Sequence, residues 1–175
     1  RPRDLIFTLP HSCIDRRPRN SLKDLVFPAV ATVKIEVGIH IPPTAKGRPY
    51  RVMVRDSKMG FQLVFFHARE DWVQRNLPVG QRRLISGKVE VFDGVVQMVQ
   101  PDHILRIDEG SNLPPFEPVY PLTAGISQKL MTKAMLSALD RAPVLAEWID
   151  PNLKSKQNWP DWQPGLKAAH APQGV

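Results

Sequence analysis

Alternating apolar and polar positions are the clearest pattern in the chain. From residue 31 to residue 41 every second position is apolar, and the positions between are threonine, lysine, glutamate, glycine and histidine. A period of two predicts a β-strand with one buried and one exposed face. The same alternation predicts a second strand over residues 50–55. A third strand, over residues 61–66, carries apolar residues on both faces.

A helix and a hairpin are predicted after these strands. Residues 68–77 have the apolar spacing of an amphipathic helix. Segments 83–92 and 95–99 alternate again, and Asp93-Gly94 between them is the dipeptide most typical of a tight hairpin turn. Gly87 within the first arm of this hairpin predicts a β-bulge.

Three strands, a helix and a closing hairpin, in this order, are typical of the OB fold. This fold is a five-stranded Greek-key barrel that binds oligonucleotides with strand faces and loops. We therefore predict a mainly β chain with an OB barrel over residues 29–108, in which residues 103–107 extend the sheet. With 175 residues, the chain is long enough for one well-buried core and an appendage.

The segments outside the barrel are expected to be less regular. They are a short helical segment and basic connector at 1–28, a proline-rich linker at 109–126, a helical appendage at 127–150 and an irregular tail at 151–175. Ser127 is the predicted N-cap of an amphipathic helix that ends at Arg141. Pro143 is expected to open a second, short helix over residues 144–149.

Composition narrows the classes of partner. Lys and Arg number 24 against 17 Asp and Glu, and this excess favours polyanions, either nucleic acid or an acidic membrane surface. No apolar run reaches the roughly 18 residues that a membrane span needs. Cys13 is the only cysteine, which excludes an intrachain disulfide and a thiolate zinc site, and the five histidines show no ligand spacing. The chain begins without a methionine or a signal-peptide pattern, so we expect it to be part of a longer protein.

Cationic side chains provide candidate phosphate contacts. Lys46 and Arg48 lie in the loop after the first strand, and loop tips of OB barrels clamp nucleic-acid strands. Further candidates are the strand residues Lys34, Arg51, Arg55 and Lys88 and the connector residues Arg16, Arg17 and Arg19. Each of these could instead be a solvated charge, and Arg16 could pair with Asp15.

Aromatic side chains provide candidate stacking positions. Phe65 and Phe66 are neighbours on the third strand, so one of them must point away from the barrel interior. That ring could stack on a base or could pack under the flanking helix. On that helix, Trp72 is predicted to share one face with Val73 and Leu77.

Several motifs add a family resemblance. They are Asp4-Leu5-Ile6-Phe7-Thr8-Leu9-Pro10, Asp15-Arg16, Ala31-Thr32-Val33, Leu63-Val64-Phe65-Phe66 and Pro118-Val119-Tyr120-Pro121-Leu122-Thr123-Ala124-Gly125. In these motifs the chain resembles the N-terminal wedge region of RecG, the bacterial ATP-dependent helicase of branched DNA. The last motif is the most specific, because OB barrels in general do not carry it. The resemblance covers most of residues 4–150.

The resemblance implies a DNA-binding wedge. Such a wedge recognises and splits branched DNA, including stalled forks and Holliday junctions, in recombination and repair. Wedge aromatics of the family stack on bases at the branch point, and Phe66 matches one of these positions. The family's second aromatic falls near Glu70, where Trp72 is the nearest candidate, and Cys13 stands where the family has a tyrosine.

The resemblance also implies a motor that this chain lacks. It contains no Gly-x-x-x-x-Gly-Lys-Ser/Thr motif to hold the phosphates of ATP, so we expect it to be non-catalytic and to have no cofactor of its own. ATP and magnesium belong to the parent helicase. The implied partners are branched or single-stranded DNA, the motor domains of the parent chain and single-strand-binding protein. The implied location is the bacterial cytoplasm, at the nucleoid.

Two other interpretations stay open. The barrel could be a protein-interaction module that holds a partner's peptide, for which single-strand-binding protein is the implied candidate. It could also be a generic binder of single-stranded DNA or RNA, without preference for a branch. A steep salt dependence separates nucleic-acid binding from peptide binding, because phosphate contacts release counterions.

Overall fold

The computed structural model describes residues 2–174, with the side chains of residues 4–174; the end residues 1 and 175 of the predicted segments lie outside this range. In chain order the elements are α1 (Pro2–Ile6), β1 (Ser12–Asp15), β2 (Pro18–Arg19), β3 (Ala29–Ile41), β4 (Tyr50–Arg55), β5 (Gly60–Phe65), α2 (Glu70–Asn76), β6 (Arg82–Phe92), β7 (Val95–Val99), β8 (His103–Arg106), a 3₁₀ helix (Ile107–Asn112), β9 (Phe116–Val119), α3 (Gln128–Asp140), α4 (Pro151–Gln157) and α5 (Trp162–Ala169).

Strands β3 to β7 close into a five-stranded barrel. β3 pairs antiparallel with β4, and β4 pairs antiparallel with β5. β5 pairs in parallel with β7, β7 pairs antiparallel with β6, and β6 returns to β3. This strand order, with α2 between the third and fourth barrel strands, confirms the predicted Greek-key OB barrel. β8 pairs with β6 and extends the sheet, as predicted.

The barrel core follows the predicted alternation. Buried side chains occupy every second position of β4, and Val33, Ile35 and Val37 fill the same core from β3. The alternation fails at the end of β3, where Ile39 is 70% exposed. Leu22, from the segment before β3, is fully buried in this core, and its carbonyl accepts a hydrogen bond from the Leu25 backbone in a turn.

The predicted bulge at Gly87 is wrong. The register between β3 and β6 runs through Gly87 without a shift, and a Cβ there would lie 3.1 Å from Met98 Sδ. Close packing against Met98, and not a bulge, therefore favours glycine at this position. The bulge lies in β3 between Val37 and His40, where a Cβ on Gly38 would lie 2.9 Å from the carbonyl oxygen of Met53.

The hairpin turn follows its sequence signal. Asp93 and Gly94 both have positive φ, +50° and +74°, as a type I′ turn requires. Asp93 is one of four non-glycine residues with positive φ in residues 2–174; the others are His67, Gln100 and Asn158.

The segments before and after the barrel contain more regular structure than predicted. Within the basic connector, β1 pairs antiparallel with β9 and β2 pairs in parallel with β3. β9 lies inside the segment predicted as a linker, and the 3₁₀ helix begins at Ile107 and extends into that segment. β1, β2 and β9 have at most four residues each, which is too short for a period of two to be recognised in the sequence.

The C-terminal segment was predicted correctly only over its first helix. The hydroxyl of Ser127 accepts a hydrogen bond from the Leu130 backbone and caps α3, as predicted. The predicted helix after Pro143 is absent, and residues 144–149 have no regular structure. The predicted irregular tail instead contains α4 and α5; Asp150 caps α4 by accepting a hydrogen bond from the Leu153 backbone.

Two compact units make up the chain. One is Arg16–Pro115, which contains the barrel, and the other consists of the described residues before and after it. The second unit has its own core of Ile6, Tyr120, Met135 and Leu139. In that unit the buried imidazole of His170 is within hydrogen-bonding distance of the Tyr120 hydroxyl (3.0 Å) and of the Ile6 carbonyl oxygen (2.8 Å). Within residues 2–174, none of the helices has the length and apolar character that crossing a membrane requires.

Candidate nucleic-acid interface

The two adjacent phenylalanines lie on opposite sides of the barrel wall. Phe61, Leu63 and Phe65 of β5 face the interior, and Phe65 is only 2% exposed. Phe66 directly follows β5, and its side chain is 44% exposed. The exposed ring is therefore Phe66, and Phe65 is a core residue.

Trp72 covers the buried phenylalanine. Its ring meets that of Phe65 edge to face, with 6.1 Å between the ring centroids, and it is 43% exposed. Val73 and Leu77 of the same helical segment are fully buried. The three residues therefore do not share one buried face as predicted, because Trp72 lies at the border between the core and solvent.

Left-handed residues follow both parallel strands next to Phe66. His67, after β5, has φ +56°, and Gln100, after β7, has φ +48°. Few residues other than glycine adopt this conformation, and each instance costs on the order of 1–3 kcal/mol. The Gln100 backbone donates to the Val64 carbonyl (2.9 Å), and its side-chain Nε2 donates to the Phe66 carbonyl (2.8 Å).

A basic loop lies beside the exposed ring. Lys46 and Arg48, in the loop between β3 and β4, line a surface cleft of about 160 Å³ together with Phe65, Phe66 and His67. Arg48 also lines a second cleft, of about 170 Å³, and Arg51 of β4 contributes to that one. The fold therefore places two of the predicted cations, Lys46 and Arg48, in one cleft with the exposed aromatic ring, and Arg51 in a second cleft that shares Arg48.

A histidine ties the base of this loop to α2. His40 Nδ1 lies 2.9 Å from the Tyr50 hydroxyl, and His40 Nε2 lies 2.7 Å from the carbonyl oxygen of Leu77. Tyr50 is the first residue of β4, lies opposite Phe65 in the register and lines the first cleft. The strand ends that carry the basic loop are thus fixed against the helix.

Other predicted strand cations lie elsewhere on the barrel. Arg55 lies opposite Glu36 on the neighbouring strand and lines a different cleft. Lys34 and Lys88 are exposed on β3 and β6, where they lie opposite Leu84 and Val30. These three residues line neither of the clefts beside Phe66.

The arginines of the N-terminal connector differ from one another. Arg16 is 3% exposed; its Nη1 forms a 2.8 Å salt bridge with Asp102 and a 3.0 Å hydrogen bond to the Ser86 hydroxyl. Arg17 and Arg19 are exposed, and Arg19 belongs to β2 at the edge of the sheet. The guanidinium group of Arg16 is therefore engaged inside the barrel unit.

Acidic groups on α2 are engaged by neighbouring side chains. Asp71 accepts from Arg69 at 3.2 Å and from Arg75 at 3.1 Å. Glu70 accepts from the Gln74 side chain at 2.9 Å. Across the described part of the chain, His, Cys, Asp and Glu side chains form no group of three or more that could hold a metal ion.

Sequence reasoning missed His67 and Gln100. A left-handed position normally shows itself in a sequence as glycine or asparagine, and neither residue is of that kind. The hydrogen bond from Gln100 to Phe66 joins residues that are 34 positions apart, so no local pattern reports it.

Solved structures with a similar fold include one of RecG bound to a three-way DNA junction. It has a TM-score of 0.76 and 20% sequence identity, over 97% of this chain and 24% of that chain. The present chain thus spans about a quarter of the length of that RecG chain. At this identity the likeness establishes the fold.

OB domains from two archaea are more distant. The domain from Thermoplasma acidophilum has 14% identity and a TM-score of 0.37, over 62% of this chain and 96% of its own. The domain from Methanosarcina mazei has 12% identity and a TM-score of 0.39, over 65% of this chain and 94% of its own.

Sequence comparison gives the family. None of the curated proteins matches the chain closely enough to count as a relative. The family model described as the RecG wedge domain matches residues 2–141, which is most of the chain and confirms the resemblance seen in the sequence motifs. The chain belongs to the RecG wedge-domain family.

Proposed function

We propose that this chain is the DNA-binding wedge of a RecG-type helicase and that it recognises branched DNA where two arms separate. One observation carries the proposal. An exposed aromatic ring, Phe66, shares a surface cleft with two cations, Lys46 and Arg48, on a rigid barrel. Family membership and the fold shared with RecG support the same function.

The aromatic ring supplies recognition of unpaired bases. Stacking of a base on an aromatic side chain contributes about 1–3 kcal/mol, and every base has a face that can stack. Inside a duplex both faces of each base are already stacked, whereas a base at a branch point has lost a neighbour. Phe66 therefore favours a branch over an intact duplex.

The cations supply affinity for the backbone. Lys46, Arg48 and Arg51 are exposed and lie within the two clefts that share Arg48. Phosphate contacts of this kind position a nucleic acid without reading its sequence. The arrangement thus fits recognition of shape at a branch, independent of base sequence.

Strand separation would need a motor in addition to this wedge. The proposal assigns ATP and magnesium to motor domains of the parent chain, against which the barrel acts as a fixed obstacle. The second unit exposes large apolar side chains that such a domain would cover, among them Leu130 and Leu136 of α3. The proposal implies a location at the bacterial nucleoid.

A protein-interaction function is the second candidate. The outer surface at the bulge of β3 forms a cleft of about 490 Å³ that exposes Ile39 and Met53 between Glu36 and Arg55. An apolar floor with charges at its border would suit a peptide, for example one from single-strand-binding protein. Peptide binding there would depend only weakly on salt and would be insensitive to Phe66→Ala.

The test compares a three-way fork with a plain duplex of equal length, bound to the 175-residue chain at one salt concentration. We expect tighter binding to the fork, and we expect Phe66→Ala to reduce that preference by about five- to a hundredfold, as the loss of one stacked base predicts. Phe7→Ala is the matched control, because Phe7 is also exposed but lies outside the barrel.

Three outcomes separate the candidate functions. Equal affinity for fork and duplex, unchanged by Phe66→Ala, contradicts the proposal. Equal affinity for a fork and for any unpaired strand, with loss of both in Phe66→Ala, indicates a generic single-strand binder. An unchanged fork preference in Phe66→Ala indicates that the branch is recognised elsewhere on the chain.

A further inference from the structure

One residue holds the backbone of Phe66 from the neighbouring strand. β5 and β7 run in parallel, and their paired residues end at Val64 and Val99. In a strand the carbonyls of residues i and i+2 point to the same neighbour, so the carbonyls of Val64 and Phe66 both face the strand that β7 provides. Gln100, the first residue after β7, bonds to both of them.

The side chain of Gln100 replaces a missing backbone donor. Its N–H continues the parallel ladder by donating to Val64, but β7 has ended and the chain turns away in a left-handed conformation. The next carbonyl that faces β7, that of Phe66 just beyond the end of β5, would then have no ladder partner. The Gln100 amide reaches it at 2.8 Å and so extends the ladder by one bond.

We propose that Gln100 is the positioning residue for the stacking ring, an inference that rests on the function proposed above. By fixing the carbonyl of Phe66, it fixes the direction in which the next peptide unit leaves the barrel. The next residue, His67, has a left-handed backbone conformation and lines the same cleft as Lys46 and Arg48. Gln100 acts through Phe66 and does not itself touch the base.

The identity of the residue supports a role for its side chain. A left-handed position favours glycine, which adopts positive φ without steric cost. Glutamine at this position keeps the strained backbone and supplies a long amide that glycine lacks. Gln100→Gly therefore separates two effects that usually change together: it relieves the backbone and removes the hydrogen bond to Phe66.

A double-mutant cycle tests the proposal with the 175-residue chain and the same three-way fork. Gln100→Gly is expected to lower the fork affinity about two- to tenfold, the equivalent of one hydrogen bond, while its thermal stability stays equal to or above that of the wild type. In the Phe66→Ala background Gln100→Gly is expected to cause no further loss. Asp93→Gly is the matched control, because Asp93 is also left-handed but lies in the hairpin turn.

The outcomes distinguish this inference from the proposed function. If Phe66→Ala weakens fork binding but Gln100→Gly does not, the inference is wrong and the proposed function stands. Additive losses in the double mutant also overturn it, because Gln100 would then act independently of Phe66. If Phe66→Ala has no effect, the proposed function itself fails. Should Gln100→Gly fold poorly, Gln100→Asn replaces it, since asparagine tolerates the left-handed conformation with a shorter amide.

Discussion

Phe65 and Phe66 are neighbours in the chain, yet the barrel wall separates their side chains. Phe65 packs in the core against the edge of Trp72, whereas Phe66 opens into the cleft beside Lys46 and Arg48. We therefore expect Phe65 to contribute to stability and Phe66 to contribute to binding.

Phe65→Ala should lower the stability of the fold, whereas Phe66→Ala should leave stability nearly unchanged and weaken binding. Loss of the buried ring should lower the free energy of unfolding by about 3–5 kcal/mol, because it leaves a cavity in a packed core. Loss of the exposed ring should change it by less than about 1 kcal/mol. Urea denaturation of both variants measures this difference. Equal destabilisation would mean that Phe66 is also a core residue.

The cations beside Phe66 should control the salt dependence of fork binding. Lys46→Ala and Arg48→Ala should each reduce the slope of log affinity against log salt by about one, since each removes one phosphate contact. Lys129→Ala is the control, because Lys129 is exposed on α3 in the other unit. Unchanged slopes in both cleft variants would remove the loop from the interface.

Arg16, unlike the cleft cations, should affect the stability of the fold and not the salt dependence of fork binding. Its guanidinium group is buried between Asp102 and Ser86, so Arg16→Met should lower the free energy of unfolding by about 1–3 kcal/mol. The salt slope of the folded protein should stay that of the wild type. A reduced slope with unchanged stability would restore Arg16 as a phosphate contact.

Asp56 should make stability depend on acid pH. Burial alone raises the pKa of Asp56, but hydrogen bonds from the backbone of Lys58, Leu22 and Met59 and from the Ser21 hydroxyl outweigh it, and the pKa is lowered. A lowered carboxyl pKa stabilises the fold fully above the ordinary value of 3.8, and this contribution is lost as the pH falls through the folded pKa.

The matched variant for this effect is Asp56→Asn. We expect it to be less stable than the wild type at neutral pH by about 1–3 kcal/mol, because an amide cannot accept all the hydrogen bonds that the carboxylate accepts. The gap should narrow below about pH 4, where the wild type loses its advantage. Urea denaturation across this range measures the gap. A gap that stays constant into strong acid would show that the charge of Asp56 does not matter.

The barrel could be predicted from sequence because its signals are local. Alternation marks the buried face of each long strand, and Asp93-Gly94 provides the positive φ values that its turn requires. The alternation pattern alone did not say which phenylalanine is exposed, whereas the family resemblance pointed to Phe66. That follows from the register of β5, in which Phe61 and Phe65 share the inner face.

Other features depend on contacts between distant segments. β1 and β9 are short strands about 100 positions apart, and each is a strand because it forms hydrogen bonds with the other. The buried role of Arg16 depends on Asp102, far along the chain, and a sequence pattern cannot distinguish it from exposed Arg17. By contrast, the start of α4 is marked locally by Asp150 as N-cap and by Pro151 in the first turn. These signals were not used when the tail was predicted to be irregular.

The most direct test of the central claim places the fluorescent base 2-aminopurine at the unpaired position of a three-way fork. Stacking on an aromatic ring changes the emission of such a base. We predict that the wild-type chain changes this emission at saturating protein, that Phe66→Ala leaves it as in free DNA, and that Phe7→Ala behaves as the wild type. The same emission change with Phe66→Ala as with the wild type, at saturation of both, would contradict the claim that Phe66 stacks at the branch.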